Sequence, residues 1–420
     1  MKKISLGFSG FNWRFVAGVS IGLAMVLALL SPSSMMAAVN SNAYVSNNAA
    51  NTVIVINSTN NTVVTTIPGF FTPSGLIMTI DGTKVYVTNT SKANVAVVNT
   101  ATNKITTTIP VDLNPQQIAA SPDGKHIYVS NQSIAGTVSV IDTGTDAVTN
   151  TITVGHIPED LVVTPDNAHV YVTNNNGSVT VVDTATNTVS ATITDPSLVA
   201  PGPIAITPDG KTVYVANEAT NTVSVIATAT NTVTTVIPVG ALPLGIAITP
   251  NGANLYIANG LGNSISVIAT ATNMVTTTLP GFNVPEGLAV TGDGTKLFVA
   301  NVDDDSVVII ATATNAISAT IHQAVGSTPA FVTVQVTQPA PAPNPCPADD
   351  DDKDHKDGHN KSRHHHDGDH DRDSDRDHDR DHHDHDNDKN DCDLDKDRDH
   401  DHHDGDGHHD GDDHHDHDHF

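Results

Sequence analysis

The chain has 420 residues and a formal net charge of −28, but the charge is unevenly spread. Residues 346–420 hold 30 Asp and 19 His against 10 Lys plus Arg and no Glu, too little apolar surface to offset the entropy of ordering a chain. The remainder is rich in Val, Ile and Thr, which excludes an all-helical protein, a disulfide-stapled miniprotein and a nucleic-acid binder relying on positive charge.

In chain order, Lys2, Lys3 and Arg14 precede an apolar run from Phe15 to Leu30, and Ser31–Ala38 supplies small residues. This order is that of a secretory signal over residues 1–38, cut after Ala37 or Ala38. The run is shorter than the roughly 20 residues of a membrane span; an uncleaved anchor is the alternative. No second run of spanning length follows, so the expected destination is the periplasm, the cell surface or the medium, with no membrane span after cleavage.

Residues 39–337 repeat one unit. Tyr-Val-Xaa-Asn recurs at Tyr44, Tyr86, Tyr128, Tyr171 and Tyr214, then as Tyr256-Ile-Ala-Asn and Phe298-Val-Ala-Asn. Around Tyr214 the unit reads as four β-runs: from Pro201, from Thr212, from Asn221 and from Thr232, with Pro208-Asp209-Gly210 as a turn. A period near 42 residues with four strands per unit is that of propeller blades. The first copy lacks its first strand, and an additional one, Pro329–Val336, follows the seventh. Pairing that strand with Ala43–Asn47 would close an all-β, seven-bladed propeller of four-stranded antiparallel blades, removing the exposed edges.

The Tyr-Val-Thr-Asn runs at Tyr86–Asn89 and Tyr171–Asn174, with Ser-Pro-Asp-Gly-Lys at 121–125 and Thr-Pro-Asp-Gly-Lys at 207–211, resemble the YVTN-repeat family of seven-bladed β-propellers. The resemblance covers residues 43–336. It implies the propeller fold, an exported or surface location of the kind known among prokaryotic members, and a similarity to lactonase-type propellers. It implies little chemistry, since propellers host unrelated functions.

A residue present in every blade reads as a packing or turn device, so the motif Tyr and Asn are structural. Positions that differ between blades carry more information. The prolines opening the blades are each followed by a residue placed at one mouth of the channel: Ser74, Gln116, Glu159, Gly202, Leu244, Glu286 and Ala330. Asp160 adjoins Glu159, and His156 lies in the preceding loop. Glu159, Asp160, Glu286 and His156 are therefore the candidate channel-mouth ligand site, either solvated rim charges or oxygen ligands for Ca²⁺ or Mg²⁺. Asp303-Asp304-Asp305 reads as a loop tip. The body lacks Cys and shows no Ser-His-Asp or paired-His spacing, so no catalytic residue and no organic cofactor is expected.

Residues 338–347 alternate Pro with small residues and form a linker. In the tail, residues 348–420, the metal-ligating candidates are His364, His365, His366, His382, His383, His385, His402, His403, His408, His409, His414, His415, His417 and His419. Imidazole beside carboxylate suits Zn²⁺, Ni²⁺ or Cu²⁺, and carboxylate alone suits Ca²⁺. Overlapping pairs of this kind predict multivalent, unselective capture that weakens as the imidazoles protonate near pH 6.5. Cys346 and Cys392 are free to pair in an oxidising compartment.

The sequence thus points to an exported, monomeric binding or scaffold protein, not an enzyme. Its partners would be divalent metals and cell-surface or envelope proteins, with no nucleic acid. The alternative is a lactonase-like hydrolase in the propeller channel. A wall of Leu, Gly and Ala would favour the scaffold; carboxylates clustered with a His would favour chemistry.

Overall fold

The computed structural model describes residues 42–133, 135–324 and 326–334. These form seven four-stranded antiparallel sheets. Six are continuous in sequence. The seventh places Pro329–Val334 beside Asn42–Asn47, followed by Thr52–Asn57 and Thr62–Pro68. Closure therefore runs through the C-terminal strand, with Ala43 opposite Val334, Tyr44 opposite Thr333 and Val45 opposite Val332. The Asn48 N–H donates to the Thr328 carbonyl at 3.1 Å, and the Phe331 N–H to Ser46 Oγ at 3.2 Å.

One blade explains the others. Pro201–Ile206 runs away from the channel mouth, Thr212–Asn217 returns, and Thr222–Ala227 and Thr232–Pro238 lie progressively outward. The turn at 207–211 is closed by Asp209, whose carboxylate accepts from Thr207 Oγ1 at 2.6 Å and the Lys211 N–H at 3.1 Å. These bonds hold the Asp209 carboxyl below its usual range. The two middle strands are buried while the outermost is largely exposed, because each sheet covers both faces only against its neighbours. Tyr214, Val223 and Val225 of this blade pack with Leu255, Ile257 and Ile268 of the next. The last and first blades join in the same way, through Phe298, Ala300 and Ile309 against Ala43, Val45 and Ile56.

The repeated polar residues have a structural role in every blade. The motif Asn side chains are buried, and most donate to hydroxyls of the adjoining strand, as Asn217 Nδ2 does to Thr222 at 3.1 Å and Ser224 at 2.9 Å. The Tyr hydroxyl reaches the neighbouring blade: Tyr44 donates to Asn103, Tyr171 to Asn231, Tyr214 to Asn273 and Tyr256 to Asn315, at 2.6–2.9 Å. The acceptors are turn residues with positive φ, for which Asn is well suited. Where Phe298 interrupts the series, Lys296 Nζ takes the equivalent Asn61 side chain at 3.0 Å.

Among the described residues no helix is long and apolar enough to cross a membrane. The expected signal sequence and proline linker, both cysteines and all the tail histidines lie outside the described residues.

Candidate functional site

Each innermost strand begins at its proline. After Pro243 the register shift spans one residue, Leu244; in the other six blades it separates the proline from the third residue after it, as between Pro201 and Ile204 or Pro285 and Leu288. The shift leaves the intervening residues outside the regular ladder, at the channel mouth. The mouth encloses a cavity of about 610 Å³, and Ser74, Gln116, Glu159, Gly202, Leu244, Glu286 and Ala330 all line it. Asp160 also lines it; His156 does not, being exposed in its loop. The structure thus brings together three of the four candidate residues.

A fourth carboxylate, Glu218, completes the group. It directly follows the motif residue Asn217 at the end of a second strand and reaches the space above Gly202. A Cβ at Gly202 would stand 2.2 Å from Glu218 Oε1, so the glycine admits this side chain into the ring. Gly245 has a different function: a Cβ there would meet the Glu286 carbonyl oxygen at 1.8 Å, so it permits adjacent innermost strands to approach closely.

The carboxylates have distinct surroundings. Glu159 accepts from Gln132 Nε2 at 2.6 Å and Asn175 Nδ2 at 3.2 Å, both residues following motif asparagines. Burial raises the Glu159 carboxyl, and these two amides oppose the rise. Glu218 has no stabilising donor of this kind. Burial, then repulsion by Glu159, pushes it up to about 7. Glu286 is likewise pushed up to about 7 by burial and then by Glu218. Like charges on one low-dielectric wall favour the protonated form.

Asp160 is of another kind. It accepts from its neighbour's Leu161 N–H at 2.7 Å and, across the blade boundary, from the Ile204 N–H at 3.1 Å. Burial nonetheless raises it to about 7. It ties two blades together beneath Glu159. Asp303-Asp304-Asp305 is a turn device: Asp305 accepts from the Gly326 N–H at 2.7 Å and the Thr328 N–H at 2.8 Å, and Asp304 from Ser306 at 2.6 Å.

No group of three or more His, Cys, Asp or Glu among the described residues is arranged to hold a metal ion. The channel carboxylates instead suit proton transfer, since groups titrating near neutrality can both give and take protons.

Comparison with known proteins places the chain in a family. The profile of the family described as Lactonase, 7-bladed beta-propeller matches residues 81–207 and 190–334, and the chain belongs to that family. The expectation of a non-enzymatic ring is thereby corrected: the family is one of enzyme-like propellers. No curated protein matches the chain at a significant level.

Solved structures share the fold. Hydrazine synthase of Kuenenia stuttgartiensis is 22% identical, with a TM-score of 0.59, and the match covers 68% of this chain and 93% of that one. A putative 6-phosphogluconolactonase from Bacteroides fragilis is 17% identical, with a TM-score of 0.60, over 70% of this chain and 98% of that one. The dihydro-heme d1 dehydrogenase NirN is 14% identical, with a TM-score of 0.56, over 71% and 76%.

Proposed function

We propose that this member of the seven-bladed lactonase family hydrolyses a lactone in its channel. The observation that carries this reading is the grouping of Glu159, Glu218 and Glu286 around one cavity, with Glu218 and Glu286 poised near neutrality. Glu159, fixed by Gln132 and Asn175, acts as the base: it takes a proton from a water whose oxygen adds to the lactone carbonyl carbon. Glu286 in its protonated form gives its proton to the ring oxygen as the acyl C–O bond breaks. One water is consumed and a hydroxy acid leaves, while the proton on Glu159 returns to Glu286 through solvent. Glu218 is a positioning residue, keeping Glu286 protonated near pH 7 by repulsion.

The test is turnover of simple lactones by the full chain, followed by pH-stat and corrected for spontaneous opening. Turnover falling about 100-fold or more in Glu159→Gln supports the assignment, since a general base contributes roughly 10²–10⁴-fold. Undiminished turnover in that variant refutes it.

The Tyr-Val-Xaa-Asn repeats support placing the chain with the YVTN-repeat members of this architecture. We further propose export and capture of divalent cations by the Asp/His tail; the supporting observation is the 19 His interleaved with 30 Asp in residues 346–420. Metal analysis of protein purified without affinity resin, with and without those residues, tests this. Equal metal content in both would refute tail capture.

A further inference from the structure

We infer that the substrate of the channel is an uncharged, hydroxyl-bearing lactone, and that phosphorylated or otherwise anionic lactones are excluded. The inference rests on the lactone-hydrolase reading and adds the substrate's charge class.

Size does not make this distinction, because a cavity of about 610 Å³ falls within the usual range for small-molecule sites and admits a phosphate ester. Charge does make it. The charged residues on the cavity wall are Glu159, Asp160, Glu218 and Glu286; among the described residues no Lys, Arg or His lines it. Phosphate recognition relies on Arg or Lys, on a helix N-terminus or on a backbone nest. The sole helical segment among the described residues is the three-residue turn Thr90–Lys92, too short to act as such a site.

Topology explains the absence of a counter-charge. Lys84, Lys104 and Lys296 begin strands that run toward the mouth, and Lys125 and Lys211 immediately precede such strands. All five therefore stand at the opposite end of the ring. Four of them have partners there, Lys84 with Asp146, Lys125 with Asp123, Lys211 with Asp209 and Lys296 with Asn61. Lys92 is at the mouth end, but it is exposed and lies over the Phe71 ring, 5.0 Å from its centroid. His156, also at the mouth end, is exposed and outside the cavity wall.

The other lining groups suit a neutral polyol. Asn48, Gln116 and Gln117 supply amides, and Ser74 Oγ donates to Gln116 Oε1 at 3.1 Å, leaving the Gln116 amide N–H groups to donate to a ligand hydroxyl. Leu244 and Phe331 add apolar wall for ring carbons. Carboxylates accept from hydroxyls and repel phosphate.

The experiment compares gluconolactone with its 6-phosphate on the full chain, as kcat/KM at low and high ionic strength, in wild type and in Glu218→Gln. Juxtaposed like charges cost several kcal/mol, so a preference on the order of 100-fold for the uncharged compound is expected. The ratio of the two kcat/KM values should narrow with salt and in the variant, whose loss of Glu218 lowers turnover of both compounds alike while removing one repelling charge. Equal or better turnover of the phosphate ester by wild type overturns the inference and leaves the hydrolase reading standing. Turnover of neither compound defeats the hydrolase reading, and calorimetric titration with the corresponding lactams then decides the charge class. Binding of the uncharged lactam alone upholds it; binding of the phosphorylated lactam equally well, or of neither, overturns it.

Discussion

Replacing Glu286 by Gln should stabilise the ring at alkaline pH while abolishing turnover. Burial and Glu218 raise the Glu286 carboxyl from 4.5 to about 7. The folded state therefore holds a proton between those two pH values that the unfolded chain has released. Stability linked to this group is fully present below pH 4.5 and is lost as pH rises through about 7. At about 1.4 kcal/mol per pH unit, the ionised carboxylate costs the fold about 3 kcal/mol at pH 8. Gln keeps the shape and omits the charge, so the variant should gain up to that amount at pH 8 and almost nothing at pH 4. For a ring of this size the gain corresponds to a rise in Tm of roughly 5 °C. Thermal unfolding of both full chains at pH 4, 6 and 8 measures it, and comparison at each pH cancels the titration of the tail. A variant less stable than wild type at pH 8, or a Tm difference independent of pH, would refute the reasoning.

Gly245→Ala drives a Cβ to 1.8 Å from the Glu286 carbonyl oxygen and should cost about 1–3 kcal/mol or more, read as a lowered urea midpoint. Gly202→Ala meets only the flexible end of Glu218, at 2.2 Å; it should leave the midpoint nearly unchanged while lowering turnover. Tyr214→Phe loses the 2.8 Å bond to Asn273 and should cost roughly 0.5–1.5 kcal/mol, whereas Phe298→Tyr should gain little, because Lys296 already holds Asn61. Removing residues 329–334 exposes the edge of the Asn42–Asn47 strand and should yield aggregation on heating, seen by light scattering.

The architecture was legible because its determinants are local and repeated. Proline, the Asp-Gly turn, the Tyr-Val-Xaa-Asn strand and the turn asparagine each fix a backbone feature, and the surplus strand at Pro329 could pair only with the strand at Ala43. The channel ring was legible for the same reason, since the prolines that open the blades set its register. Glu218 was missed because it lies on a different strand, one residue past a motif asparagine. In that row Asn48, Gln132 and Asn175 are neutral polar residues that draw no notice. Two departures from the repeat marked it: an acid in a row of neutral residues, and a glycine at position 202 of the neighbouring ring. His156 was misplaced because proximity in a loop does not set direction. The proton affinities followed from burial and mutual repulsion, which depend on residues 59 and 68 positions apart being on one wall, and no local spacing records that.

The most direct test of the account is the pH dependence of kcat/KM for an uncharged lactone with the full-length protein. A profile falling on its alkaline side near pH 7, with that fall displaced to lower pH in Glu218→Gln and turnover lost in Glu286→Gln, is the predicted result. A profile flat across neutrality, or one unaltered in Glu286→Gln, would contradict it.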